Sequence, residues 1–463
     1  MRKKEENMRL IARYAKDKGK NFEIVTCYDK KIERVLIFKE KPEIETISYQ
    51  HPSAIWFERK MQDDFGIIII DAFDRRPLLH HERFPKNIQP MCKDFKEKSL
   101  KEEPFEPYEY ETIKGDSVFQ VSVGPIHAGI IEPGHFHFSQ AGEAMLHLEV
   151  RHFYKYRAIE KMLEGKTVFE AKAIIERISG NESVAYQHCW RDIVLEATHS
   201  KLNLRAKKYH ALLLEIERII HHLTDIGFIP NDAGFGSALA FASKLSEDAR
   251  RIMQEITGHR FGFGAIDFKE QHIDVAKVKL WLEQLSKDIN YFESWIMDIP
   301  SLWDRFDTTG RLSPKEAQKY DTVGVVAKAS TLAIDRRLDD EFYIKHGFKV
   351  VLEKSGDVSA RFKVRIKEIQ NSITMIEQLL IEKIPAMELN NIEDGEYMAF
   401  CESSIGELFM AIDIKEGLIE RFFARNPSFV NWQGVHLMMR RDIIADFPLI
   451  NKSCDLSYAG NDL

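Results

Sequence analysis

The chain has 463 residues, 44% hydrophobic and 30% charged, an ordinary globular composition at a length that asks for two or three domains rather than one. A formal net charge of -7 supplies no broad positive field and argues against a nucleic-acid partner. Five scattered cysteines, Cys27, Cys92, Cys189, Cys401 and Cys454, with no Cys-x-x-Cys spacing, argue against a disulfide framework and against an iron–sulfur cluster held by this chain alone.

The charged start, residues 1–7, lacks the apolar core of a signal peptide. Phe22–Cys27 and Arg34–Phe38 read as strands. Ile67–Ile70 reads as a buried strand, far short of the ~20 apolar residues of a spanning helix, so work at a membrane would need another subunit as anchor. Residues 1–90 therefore make a small α/β domain. Residues 91–117 are charged and broken by Pro104 and Pro107, which predicts a linker. Residues 118–463 open with a turn-rich strand region, Val118–Phe138, and become helical from about 143. Thr167–Glu170 and Ser313–Glu316 are capping boxes, the second with Pro314 at the first helical position. Tyr209, Leu212, Leu213, Ile216, Ile219, Ile220 and Leu223 have helical spacing; that helix, Leu202–Leu223, should end near Gly227 and Pro230. Its polar side mixes Glu215 and Glu217 with Lys207, Lys208 and Arg218, which fits a bundle helix better than a membrane-surface helix. Further helices are predicted at 243–257, 274–296, 314–333 and 358–384. Strands return near Tyr397–Phe400, Glu407–Asp413 and Leu418–Ala424. The fold class is α+β: a small N-terminal α/β domain, then a mostly helical domain with a β-hairpin region.

Colinear blocks then carry a resemblance. His51-Pro-Ser-Ala-Ile-Trp-Phe-Glu-Arg59, Asp63-Asp-Phe-Gly-Ile67 and Asp74-Arg-Arg-Pro-Leu78 are similar to the smaller hydrophilic subunit of complex I. Gly124-Pro-Ile-His127, Glu132-Pro133 and Gly142-Glu143 resemble the opening hairpin of nickel–iron hydrogenase large subunits and of the related complex I subunit. Leu213–Arg218, His222, Asp225–Gly227, Asn231–Phe235, Ala327–Ser330, Asp335–Arg337 and Pro427–Trp432 continue the match. The fused order resembles the large subunits of formate hydrogenlyase-type and other membrane-bound respiratory hydrogenases, of the energy-converting kind.

In that family two Cys-x-x-Cys pairs hold nickel, because soft thiolates set affinity and redox behaviour. The resemblance places Ser179 and Glu182 (Arg177-Ile-Ser-Gly-Asn-Glu182) at the first pair. It places Ser457 and Gly460 (Asp455-Leu-Ser-Tyr-Ala-Gly460) at the second. Cys189 and Cys454 lie near but off these positions. The expectation is a chain with no cofactor of its own, no nickel–iron centre, no hydrogenase activity by itself and, with its end at Leu463, no removable tail. The complex I relative has lost the same ligands and holds a quinone headgroup in that place. Here its second hairpin histidine falls on Ile131 and its quinone-facing tyrosine on Gly180, so quinone binding stays open.

Glu182 and His127 are the catalytic candidates. Buried in a cavity, Glu182 could carry protons; alternatively it pairs with an arginine such as Arg177 and fills space. Ser179 and Ser457 read as fillers, since no histidine–acid pair activates them. Glu132, Arg177, Tyr186, Asp335 and Arg336 are expected to line or brace the old cavity. His135 and His137 alternate on one strand, more simply a chance cluster on an edge strand than a metal site. His222 reads as a core or capping residue and Cys454 as a small buried hydrophobe. The resemblance implies a peripheral-arm subunit of an NADH–quinone oxidoreductase-like or hydrogenase-related complex on the cytoplasmic face of the membrane, with NAD binding in the assembly. Its partners would be an iron–sulfur small subunit bearing a four-iron–four-sulfur cluster, antiporter-like membrane subunits and other peripheral-arm subunits. Such a complex couples electron transfer to ion translocation. The alternative is a catalytically silent scaffold that transmits conformational change.

Overall fold

The computed structural model describes residues 8–85, 88–96, 101, 103–127 and 131–463. Residues 1–7, part of the 91–117 segment and Ile130 of the hairpin block lie outside them. The chain begins with a three-stranded antiparallel sheet, Leu10–Asp17, Asn21–Tyr28 and Ile32–Phe38, in sequence order. Its first strand is buried along its whole length. One side meets the helix Ala54–Phe65, and the ring of Tyr14 stacks on Phe423, 4.3 Å between centroids. Sequence pattern does not announce this strand, because Arg13 and Lys16 interrupt the apolar run. Their charges are buried in ion pairs, Arg13 with Glu58 at 2.5 Å and Lys16 with Glu396 at 2.6 Å.

The Ile67–Ile70 run needs correction. Ile68–Ile70 is a short strand paired in parallel with Glu43–Glu45, and Ile68 and Ile70 face out. Only Ile67 and Ile69 enter the core, where they meet Phe22, Phe65 and the buried Met91 and Cys92. The described residues of the 91–117 segment form no helix or strand but are tied down. Tyr108 donates to Glu149 at 2.8 Å, and the Glu111 and Ile113 amides bond Glu149 and Ser139. Its anchor is a second three-stranded sheet, Phe119–Val123, His135–Ala141 and Ala144–Arg151. His135 and His137 lie on the central strand of this sheet, not on an edge; both rings pack on Tyr110.

The helical body is built round Leu204–Asp232, with Gly236–Thr257 and Val358–Leu379 against it. This helix does not stop at Gly227. A Cβ there would sit 2.9 Å from the Ala242 Cβ, so the glycine lets two helices approach closely, and Pro230 is accommodated in the last turn. Both capping boxes form. The predicted 314–333 helix is instead two short ones, Pro314–Lys319 and Gly324–Ala329. Asp321 breaks them apart with a left-handed conformation, φ 52°. The 358–384 helix ends at Leu379, and Lys383–Ile384 pairs with Gln271–His272. A C-terminal antiparallel sheet, Gly395–Glu402, Glu407–Lys415 and Leu418–Arg425, packs on helix Ser183–Ala197. Short helices Pro427–Asn431, Phe447–Cys454 and Tyr458–Asp462 close the chain.

Candidate functional site

Two turn-to-helix junctions bring together Ser179, Glu182, Ser457 and Gly460, the positions that the resemblance assigns to the two ligand pairs. Residues 178–182 turn into helix Ser183–Ala197. Asp455, at φ 48°, ends helix Phe447–Cys454 and leads into Tyr458–Asp462, whose first turn is capped by Ser457 Oγ accepting from the Gly460 amide at 2.9 Å. The two junctions meet at Ser179 and Ser457, whose hydroxyls lie 3.1 Å apart.

Glu182 is fully buried. Ser403 Oγ donates to one of its oxygens at 2.7 Å, and Asn426 Nδ2 to the other at 2.5 Å. Asn426 also donates to the Tyr186 hydroxyl at 3.2 Å. Gly460 completes the group: a Cβ there would lie 2.4 Å from Asn426 Nδ2. Ser179, Glu182, Ser457 and Gly460 thus form one hydrogen-bonded knot with Ser403 and Asn426. Burial raises the Glu182 carboxyl above its usual range, against the hydrogen bonds of Ser403, Asn426 and Ser179. One layer behind, Glu217 accepts from the Val184 and Ala185 amides at 2.6 and 3.0 Å, and burial pushes its carboxyl up to about 8.

Arg177 is not the partner of Glu182. It is half exposed, pairs with Glu176 and lies over the Phe263 ring. His127 sits on the hairpin against Phe136 and Tyr458, and its Nε2 is buried without a partner among the described residues. Glu132 binds Lys155 at 2.5 Å and the Ala459 amide at 2.9 Å, bracing the last helix. Asp335 and Arg336 lie elsewhere, in a buried ionic cluster. Asp335 holds Arg337 and Lys328, each at 2.8 Å or less. Arg336 bonds Glu407 at 2.5 Å. Lys328 also reaches Glu368 at 2.7 Å and Glu402 at 3.2 Å, and His222 bonds Glu368 at 2.7 Å, a core role. The cluster is tied to the knot through Arg218, which donates to the Glu402 and Ser403 carbonyls at 2.6 and 2.7 Å, and Ser403 holds Glu182. Cys454 is buried with its sulfur 3.6 Å from that of Met438.

Asn426, Ser403 and Glu217 escape sequence reading. Asn426 directly precedes the Pro427–Trp432 block, a usable signal; nothing in the sequence marks Ser403.

The knot does not fit a nickel–iron centre. Its donors are hydroxyl and carboxylate oxygens already spent on one another, one position has no side chain, and Asn426 occupies the space a side chain would need there. Such a centre needs thiolates.

Comparison with known proteins agrees with this architecture. Residues 2–101 match the family model described as the 30 Kd subunit of respiratory-chain NADH dehydrogenase, and residues 232–394 match that of its 49 Kd subunit. Formate hydrogenlyase subunit 5 of Escherichia coli (strain K12) is 27% identical over 93% of this chain and 78% of its own. The C/D subunit of the NADH-quinone oxidoreductase of Phocaeicola vulgatus is 26% identical over 90% and 86%. A subunit of the F(420)H(2) dehydrogenase of Methanosarcina mazei is 29% identical over 72% and 95%. Fold, knot and matches define a subunit of a multi-subunit oxidoreductase. The chain belongs to the complex I and hydrogenase-related superfamily, with units of the 30 and 49 Kd types fused in one polypeptide, as a peripheral-arm subunit. Among the described residues, no helix is long and apolar enough to cross a membrane.

Proposed function

We infer that this chain is a metal-free coupling subunit of a membrane-associated, complex I-like assembly. It docks an iron–sulfur small subunit, bearing a four-iron–four-sulfur cluster, on antiporter-like membrane subunits at the cytoplasmic face. Electrons from ferredoxin or a nicotinamide donor pass through the partners, and this chain relays the resulting conformational change toward ion translocation. The knot carries the reading: the former metal position is filled by Ser179, Ser457, Glu182 and Asn426, bonded to one another in a buried site. The hold of Arg218 on the Ser403 backbone supports the relay, because it ties that site rigidly to an ionic cluster spanning three elements.

A second reading, a quinone or other small acceptor in a remodelled site, is favoured by a 230 Å³ cavity beside the knot at Gly180.

Metal analysis and electron paramagnetic resonance on the complex purified with its partners test both. Iron–sulfur signals without stoichiometric nickel are expected, and one nickel per chain overturns the inference. Titration with a quinone analogue should leave those signals unmoved; a saturable shift selects the second reading.

A further inference from the structure

The 230 Å³ cavity is lined by Gly180, Asn181, His221, Arg250, Lys452 and Asp455, with Asp225 at its wall. Its chemistry is ionic, and its donors and acceptors do not balance. Asp455 is held by Lys452 at 2.5 Å, and Asp225 by Arg365 at 2.8 Å. Both carboxylates are therefore spent. Arg250 has no carboxylate within ion-pair distance among the described residues; it donates to the Ser246 and Thr224 hydroxyls at 2.7 and 3.3 Å. A guanidinium carries five N–H donors in a fork suited to a planar oxyanion. His221 lines the cavity and is only 8% exposed. The fully buried Arg361, one helical turn from Arg365, has no carboxylate within ion-pair distance among the described residues; it is held by Ser453 Oγ and the Gly310 and Gly356 carbonyls. It adds positive potential behind the same wall.

We propose that this cavity is a binding site for a small planar oxyanion of the carboxylate class, gripped by the Arg250 guanidinium with Asn181 and His221 around it. A quinone headgroup would compete for the same cavity but would leave its charged donors without an ionic partner. The site stands apart from the coupling role: nickel in the knot leaves it undecided, whereas a saturable quinone response would assign the cavity to the second reading.

Isothermal titration of the full chain with sodium acetate and with sodium nitrate, against sodium chloride at equal ionic strength, tests it. Saturable binding of one oxyanion per chain is expected with the two planar anions and not with chloride. Arg250→Gln should weaken it roughly tenfold or more, the scale of one charge-assisted hydrogen bond. Gly180→Val is the independent variant. A Cβ at Gly180 meets nothing within 4 Å, so the fold should tolerate the substitution, and added methyls at the cavity lining should weaken binding. Absence of saturable binding by the parent chain, or unchanged binding in either variant, overturns the proposal.

Discussion

At the scale of single residues, Glu182 is a carboxyl in a dry site facing neutral donors. Glu182→Gln keeps the shape but turns one acceptor into a donor that must face Ser403 or Asn426. We expect a loss of about 1–3 kcal/mol in denaturant melts, with assembly and ion coupling per turnover unchanged. Loss of coupling in an assembled complex would instead make Glu182 a proton carrier. Glu217 supplies a pH test. Its carboxyl rises from 4.5 to about 8 on folding, so its contribution to stability is present below pH 4.5 and is lost as pH rises toward about 8. The melting-temperature advantage of the parent over Glu217→Gln should therefore shrink across that window; a constant difference would show that Glu217 does not titrate there. The resemblance drew attention to Ser179, Glu182, Ser457 and Gly460, which the fold brings together. Their partners were not legible: Ser403 lies 221 positions from Glu182 in sequence, and only folding brings it there.

At the scale of elements, glycines decide what sequence periodicity could not. Gly227 and Pro230 look like a helix end, yet the helix runs on because its neighbour needs the missing side chain. The 314–333 pattern looks like one helix, yet Gly324, at φ +60°, sits where a Cβ would lie 1.8 Å from the Ile405 carbonyl oxygen. That contact holds the turn carrying Ser403 against the helical body. Gly324→Ala should cost about 3 kcal/mol or more, combining left-handed strain with a backbone clash. Gly417, at φ +75° in a hairpin turn with nothing within 4 Å, isolates the first of these. Gly417→Ala should cost only about 1–2 kcal/mol. Equal losses for the two in urea unfolding would remove the close approach as the cause.

At the scale of the whole molecule, the fused units share one core. Buried residues of the first sheet, Leu10, Ile11 and Tyr14, belong to the same apolar cluster as Phe423, Phe429 and Trp432. Polar contacts fasten the same boundary. Asp321 accepts from the Leu10 amide at 3.1 Å and from the Ser53 hydroxyl at 2.5 Å, and Arg9 reaches Glu407 at 2.6 Å. The sequence suggests two units joined by a linker because composition changes near residue 91. It hides this boundary, because each contact joins residues hundreds of positions apart. The first strand is built into the large core, although Phe22, Ile24, Phe65 and Ile67 form a second cluster of the small unit's own; with the boundary fastened in this way, calorimetry should record one cooperative transition. Asp321→Ala leaves the Leu10 amide and the Ser53 hydroxyl without their acceptor, at a cost of about 1–3 kcal/mol. If the core is shared, that cost lowers the single transition as a whole. If the units are merely tethered, the variant splits the trace in two, with the residues before 91 melting ahead of the rest.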